Sequence, residues 1–84
     1  MNKLSDQEMA QVSGGMLTQD EALAKALEHA KLKKDQVDFI KKVELDYEHG
    51  VKVYEITFFK DGFEYEYDID ADTGSVLKFE KDWD

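Results

Sequence analysis

Residues 63–70 read Phe-Glu-Tyr-Glu-Tyr-Asp-Ile-Asp, so that an apolar or aromatic side chain alternates with a carboxylate at every position. Side chains of a β-strand point alternately to its two faces. The stretch therefore predicts a strand with one aromatic face and one acidic face, and it is the clearest strand signal in the chain.

Three further strands are predicted around this one. Alternation begins at Phe39, residues 51–59 are rich in β-branched and aromatic side chains, and residues 76–79 form a last, shorter strand. Each of the intervening turns contains a glycine at a place where a positive φ is expected, and Asp61-Gly62 is a typical hairpin turn. Because turns this short join antiparallel neighbours, the sequence predicts a four-stranded meander.

An amphipathic helix is predicted from Thr18 to about Lys31. Thr18 followed by Glu21 forms a capping box, and alanine and leucine recur at helical spacing from Ala22. The helix should cover the aromatic face of the sheet, which gives an α+β domain of two layers. The expected interior is Leu23, Leu27, Leu32, Val43, Leu45, Ile56, Phe58, Tyr65, Tyr67, Ile69 and Leu77, whereas Tyr47, Phe59 and Trp83 are the aromatic residues expected to be exposed.

The composition excludes several classes of function. The chain has 84 residues, 42% of them hydrophobic, which is enough for one small domain. Its 20 acidic and 11 basic residues give a net charge of -9, and all basic residues are lysines, which argues against binding to nucleic acid or to anionic membranes. The absence of cysteine excludes disulfides, thiol catalysis and cysteine zinc sites. No apolar run approaches the ~20 residues of a membrane span, so membrane insertion is not expected.

No pattern of catalytic residues is evident, and we expect neither an enzyme nor a cofactor. His29 and His49 lack a metal-ligand spacing, and the serines lie in no nucleophile motif. Asp68, Asp70 and Asp72 alternate like the start of a calcium loop, but Thr73 stands where that loop requires glycine and Phe79 where it requires glutamate. A half-exposed strand followed by an Asp-Thr-Gly turn explains the same alternation, so no metal site is predicted.

Two surfaces are candidates for binding a protein partner. The first is the acidic strand face of Glu64, Glu66, Asp68 and Asp70, which could dock a basic surface, although a solvated face that confers solubility has the same composition. The second is the sheet edge at the last strand: if that strand is short or frayed, an open edge could accept an extended chain by strand addition.

The C-terminal half of the chain resembles a PepSY domain. The resemblance lies in residues 54–58, Tyr-Glu-Ile-Thr-Phe, and in residues 62–77, where a tyrosine-rich strand leads through Ile-Asp-Ala to a Thr-Gly turn and an aliphatic pair. Residues 17–22, Leu-Thr-Gln-Asp-Glu-Ala, resemble the start of the family, so the resemblance covers about residues 17–80. It implies a secreted or cell-surface bacterial module, related to the propeptides of thermolysin-type metallopeptidases, that binds and restrains proteases. No catalytic residues belong to the family, and any inhibition by this chain would act in trans.

Residues 1–15 resemble a different element, the double-glycine leader of exported bacterial peptides. The matching positions are Leu4, Glu8, Met9, Val12, Gly14 and Gly15. The resemblance implies recognition by an ABC exporter and cleavage after Gly15 by its peptidase domain; a flexible N-terminal tail is the alternative. The predicted organisation is thus a leader-like segment, residues 1–15, and a PepSY-like domain, residues 16–84.

The sequence therefore predicts a small exported module, without a classical signal peptide, that binds a secreted or cell-surface protease such as a metallopeptidase. Two alternatives stay open. The domain could itself be an exported cargo with a signalling or bacteriocin-like role, or it could be a structural module that self-associates. Without use of the leader, the chain would be cytoplasmic.

Overall fold

The computed structural model describes residues 16–83. The helix α1 spans Gln19–Ala30 and is followed by a 3-10 turn, Lys34–Gln36. The strands are β1 (Phe39–Glu48), β2 (Val51–Lys60), β3 (Phe63–Asp70) and β4 (Val76–Trp83). The leader positions Leu4, Glu8, Met9, Val12, Gly14 and Gly15 lie outside the described residues.

The helix begins and ends as its sequence predicts. The backbone N–H of Glu21 donates to the Thr18 hydroxyl at 3.1 Å, and the Glu21 carboxylate accepts from the backbone N–H of Thr18 at 2.8 Å, so the capping box is formed. Lys31 ends the helix in the left-handed conformation, with φ of 61°. Ala22 and Ala26 are fully buried, and these small side chains let the helix approach the sheet closely.

The four strands form one antiparallel sheet in the order β1-β2-β3-β4, as predicted. His49-Gly50 and Asp61-Gly62 are two-residue turns in which both residues have positive φ, from 53° to 81°. This is the type I′ geometry that matches the twist of the flanking strands. Such turns fix the register of β1 on β2 and of β2 on β3.

The last strand is longer than the prediction of residues 76–79. It continues to Trp83, with Phe79 opposite Tyr67 and Trp83 opposite Phe63. Lysine and carboxylate side chains interrupt the apolar alternation of β4, which hides the strand from a sequence pattern. Residues 80–83 nevertheless form a strand, because β3 provides the backbone groups to which they hydrogen-bond.

The core lies between the helix and one face of the sheet. Phe58, Tyr67, Ile56 and Ile69 are almost fully buried there, and the rings of Phe58 and Tyr65 stack with centroids 5.0 Å apart. The predicted interior is confirmed for these residues and for Leu23 and Leu27, while Leu32 and Val43 are half-buried at its margin. The expected exposure of Tyr47 and Trp83 is also confirmed.

Three of the burial predictions are wrong. Leu45 is 40% exposed because it lies on the outer strand β1, which has a neighbouring strand on one side only. Leu77 is 53% exposed because the register shifts beside it, between the pairs Asp68–Lys78 and Ile69–Val76, and turns it away from the core. Phe59 is half-buried rather than exposed, since its ring stacks on Phe39 with centroids 4.8 Å apart.

In the described part of the chain, no helix has the length and apolar character needed to cross a bilayer.

Candidate functional site

The sheet face opposite the helix carries a concentration of carboxylates. The strand register places on this face every side chain that alternates with the core residues. We call it the acidic face; among the described residues its carboxylates are Glu44, Asp46, Glu48, Glu55, Glu64, Glu66, Asp68, Asp70, Glu80 and Asp82. Its lysines are Lys42 and Lys78.

Several of these carboxylates lie directly opposite one another on neighbouring strands. The paired residues are Glu44 with Glu55, Glu55 with Asp68, Glu64 with Asp82 and Glu66 with Glu80. Like charges in directly opposite positions destabilise a sheet. The arrangement therefore lowers the stability of the fold, which is typical of surfaces retained for another purpose.

Burial and, to a lesser degree, neighbouring like charges raise the pKa of two carboxylates on this face. Burial, together with the neighbouring charges of Glu64 and Glu80, raises the pKa of Glu66 above its usual value. Burial also raises the pKa of Asp68; the nearby Lys78 ammonium opposes this rise, and the Glu55 carboxylate adds to it. A cation placed near these groups would relieve the repulsion, so the acidic face favours positively charged partners.

Lys42 provides the main local compensation. Its ammonium group lies 3.1 Å from the Glu55 carboxylate, and this contact lowers the pKa of Glu55. A hydrogen bond to Glu55 raises the pKa of Glu48. A single lysine thus neutralises only part of the charge of Glu48, Glu55 and their neighbours, and the acidic face keeps a net negative charge.

The structure brings together all four acidic residues proposed from the sequence for partner binding. Glu64, Glu66, Asp68 and Asp70 share the acidic face and are each half-buried. Glu80 and Asp82 also belong to this face, but they could not be assigned to it from the sequence because both lie beyond the predicted end of β4. It did show Glu44 and Asp46 alternating along β1, but placing them beside β3 requires the strand order.

The three aspartates with calcium-like spacing have separate roles. The Asp70 carboxylate accepts hydrogen bonds from the backbone N–H groups of Asp72, at 2.8 Å, and of Thr73, at 3.0 Å. These bonds lower the pKa of Asp70. Asp68 lies on the acidic face and Asp72 is exposed in the turn, so the alternation belongs to a strand that ends in a tight turn.

The same turn anchors the start of the domain. The Ala71 N–H donates to the Lys52 carbonyl at 2.9 Å, and the Ala71 carbonyl accepts from the Leu17 N–H at 2.8 Å. The Tyr54 hydroxyl donates to the Leu17 carbonyl at 2.8 Å. The Ile-Asp-Ala segment and its Thr-Gly turn therefore hold the chain in place where it leads into α1, which is a structural role.

One group of carboxylates has a geometry that could hold a metal ion. Among the described residues, potential ligand atoms of Asp46, Glu48 and Glu55 lie within 4.8 Å of one another. Such oxygens suit magnesium or calcium. The Lys42 ammonium already contacts Glu55, however, so part of this negative charge is neutralised without a metal.

The two histidines lie in unrelated places. The Nδ1 atom of His29 is 2.9 Å from the Tyr67 hydroxyl, and its ring contacts Phe79 with centroids 5.2 Å apart. His49 occupies a type I′ turn. His29 thus connects the helix to β3 and β4, a role in packing that the sequence did not reveal.

An open groove of about 590 Å³ runs along the helix on the other side of the molecule. Leu23, Leu27 and Leu32 contribute to its lining, with Lys25, Lys33 and Lys34 among its charged residues. It is a surface depression rather than the enclosed cavity that small-molecule sites usually provide.

These observations define a small two-layer α+β domain with a helix on one face of a meander and an uncovered acidic face on the other. The chain belongs to the PepSY family, described as peptidase propeptide and YPEB domain, whose family model matches residues 16–80. This confirms the resemblance of residues 17–80 to a PepSY domain.

Among solved structures, the chain is similar to a protein from Clostridium difficile 630 that is described as a candidate lipoprotein, with 31% sequence identity and a TM-score of 0.65. The match covers 84% of this chain and 43% of the other, so this chain spans less than half the length of that protein. No curated protein sequence matches the chain significantly.

Proposed function

We propose that the chain is an exported PepSY module that binds a secreted or cell-surface peptidase and restrains it in trans, with the acidic face as its docking surface. The observation that carries the proposal is the set of like-charged cross-strand pairs on an uncovered sheet face. A basic surface of a partner would relieve this repulsion, and burying the face would add to the affinity.

The family and the structural neighbour support the class of partner and the location. The family description names peptidase propeptides, which are segments that contact a peptidase. The neighbour from Clostridium difficile 630 is described as a candidate lipoprotein, a class of protein anchored outside the cytoplasm. Both favour a role outside the cell, and neither supplies the identity of the peptidase.

The proposal is tested by titrating the full-length chain against purified secreted peptidases of the organism that encodes it. We expect a saturable fall in the rate of substrate hydrolysis. Because the contact is electrostatic, it should weaken when the salt concentration is raised from about 0.05 M to about 0.5 M. Hydrolysis that continues at an unchanged rate for every peptidase would overturn the proposal.

Two charge-reversal variants locate the docking surface. Glu64→Lys changes the charge of the acidic face, whereas Glu28→Lys makes the same change on the exposed surface of the helix. We expect Glu64→Lys to weaken inhibition and Glu28→Lys to leave it unchanged. Equal effects of the two variants would show that net charge, rather than the acidic face, governs binding.

We further propose that residues 1–15 are a double-glycine leader removed during export. One support is the spacing of Leu4, Met9 and Val12 before Gly14-Gly15. The other is the position of the cleavage site: Gly15 lies two residues before Leu17, whose backbone is anchored to Ala71 and Tyr54, so cleavage there would leave the domain intact. The intact mass of protein recovered from culture medium tests this. A mass that corresponds to residues 16–84 is expected, and recovery of the uncleaved chain would refute it.

A further inference from the structure

The two outer strands of the sheet differ in how accessible their backbone edges are. Residues that flank a two-residue hairpin turn exchange backbone hydrogen bonds, and successive residues then alternate between inward and outward bonding. Starting from Glu48 opposite Val51, the even-numbered residues of β1 bond to β2, so that Val43, Leu45 and Tyr47 direct their backbone groups outward.

Side chains already occupy part of this β1 edge. The Gln19 side chain donates to the Val43 carbonyl at 3.2 Å, and the Asp46 carboxylate accepts from the Tyr47 N–H at 2.8 Å. The register shift beside Lys41 further interrupts the strand. These features are typical of edges protected against pairing with another chain.

The same alternation shows which groups of β4 are free to pair. The turn between Lys60 and Phe63 sets the pattern of β3, whose even-numbered residues bond to Lys78, Glu80 and Asp82. Phe79, Lys81 and Trp83 therefore direct their backbone N–H and carbonyl groups outward. Among the described residues, no side chain or loop hydrogen-bonds to these groups.

The side chains of β4 make its two faces chemically different. On the helix side, Phe79 is 41% and Trp83 77% exposed, and Trp83 stacks on Phe63 with centroids 4.2 Å apart. The Lys81 ammonium lies 4.5 Å from the centre of the Phe63 ring, so it is drawn back over β3 rather than projecting past the edge. On the other side, Glu80 and Asp82 continue the acidic face to the edge, and the Lys78 ammonium, 4.0 Å from the Glu80 carboxylate, offsets only part of this charge.

We propose that the β4 edge binds an extended segment of the partner protein by strand addition, and that this segment alternates basic with apolar side chains. Its apolar side chains would pack on Phe79 and Trp83, because these rings are exposed beside the edge. Its basic side chains would lie beside Glu80 and Asp82. This proposal rests on the proposed function, which supplies the class of partner. It adds that the partner binds by strand addition and that the bound segment alternates basic with apolar side chains.

Charge complementarity indicates what binds the β4 edge. A second copy of the chain would extend the acidic face with another acidic face, and each copy carries a net charge of -9. An alternating basic segment instead neutralises that face and covers the exposed rings. A partner segment is therefore favoured over self-association.

The test uses the full-length chain, labelled with nitrogen-15, and a short synthetic peptide in which lysine alternates with valine or phenylalanine. On binding, the outward amides of Phe79, Lys81 and Trp83 should shift and become protected from solvent exchange. Two control peptides, one with glutamate in place of lysine and one of the same composition without alternation, should bind at least about tenfold more weakly, which corresponds to about 1.4 kcal/mol.

Proline substitutions distinguish the two edges. Lys81→Pro removes an outward N–H of β4 without breaking the β3 ladder, and edge strands tolerate proline at such positions. Leu45→Pro makes the equivalent change on β1. We expect peptide affinity to fall about tenfold or more in Lys81→Pro and to be retained in Leu45→Pro, with circular dichroism confirming that both variants are folded. Lys81→Thr keeps the N–H, controls for loss of the lysine side chain and should retain the affinity. If proline unfolds the chain, the solvent-exchange protection of the outward amides of Phe79, Lys81 and Trp83 in wild type decides the binding mode.

Several results would overturn the inference. These are peptide shifts confined to β1 or to the helix, equal affinity for the acidic and basic peptides, or a dimer of the free chain that Lys81→Pro converts to a monomer. The last result would assign the edge to a second copy. Failure here is distinguishable from failure of the proposed function, because a peptidase that is inhibited equally by wild type and Lys81→Pro would leave the function standing and remove only the binding mode.

Discussion

The hydroxyl of Tyr54 offers a direct test of how the start of the domain is anchored. Its O–H donates to the Leu17 carbonyl at 2.8 Å, and the side chain is only 4% exposed. Tyr54→Phe removes this hydrogen bond and leaves the ring in place. The expected loss is about 1 kcal/mol in the free energy of unfolding, the usual net contribution of one such bond.

For a domain of this size, a loss of that magnitude lowers Tm by about 4–8 °C. Thermal unfolding followed by circular dichroism measures the shift, and urea unfolding should show a lower midpoint at an unchanged slope. Hydrogen exchange should also become faster at the Leu17 amide, which donates to the Ala71 carbonyl in the same anchor.

Tyr65→Phe is the matched control. Tyr65 is buried on the same sheet face, and in the described part of the chain its hydroxyl has no hydrogen-bond partner. The same chemical change should then alter stability by no more than about 0.5 kcal/mol. Equal Tm shifts in the two variants, or none in Tyr54→Phe, would refute the anchoring role of the hydrogen bond.

Further predictions concern charge and backbone geometry. Because the pKa values of Glu66 and Asp68 are raised, the folded state takes up protons more readily than the unfolded state, and Tm should increase as the pH falls from about 7 towards the ordinary glutamate pKa of 4.5. At lower pH it should decrease as Asp70, whose pKa is lowered, becomes protonated; a steady fall in Tm from neutral pH would contradict this. Glu66→Gln should stabilise the fold at neutral pH by about 0.2–1 kcal/mol, measured by urea unfolding, and the gain should shrink at high salt. Gly74→Ala should cost about 1–2 kcal/mol, since φ is +82° and the new Cβ would lie 3.3 Å from Cδ1 of Leu17, whose backbone is anchored to Ala71 and Tyr54. Gly50→Ala, with φ of +81° and open space around it, should cost less, and the reverse order in a denaturation series would count against this account of the turn.

Most of the fold could be predicted because its signals are local. The alternation of residues 63–70, the capping box at Thr18 and the turn at Asp61-Gly62 each depend on side chains close together in the sequence. The extent of β4 and the exposure of Leu77 could not be predicted in this way. Both depend on the neighbouring strand, whose ladder extends β4 to Trp83 and whose register shift turns Leu77 outward.

The candidate site was predictable only where it lies within one strand. The acidic residues of β3 alternate visibly in the sequence, whereas Glu55 and Glu80 join them through strand order and register. The open edge of β4 is a different case. Its outward groups follow from the two-residue turns, but the contrast with the β1 edge, where Gln19 and Asp46 occupy part of the backbone, becomes visible only in three dimensions.

One titration tests the docking role of the acidic face most directly: the hydrolysis rate of a purified secreted peptidase against increasing amounts of wild type, Glu64→Lys and Glu28→Lys. The account predicts that wild type and Glu28→Lys lower the rate along the same saturable curve and that Glu64→Lys requires a higher concentration. A rate that no variant lowers, or one that all three lower identically, would contradict it.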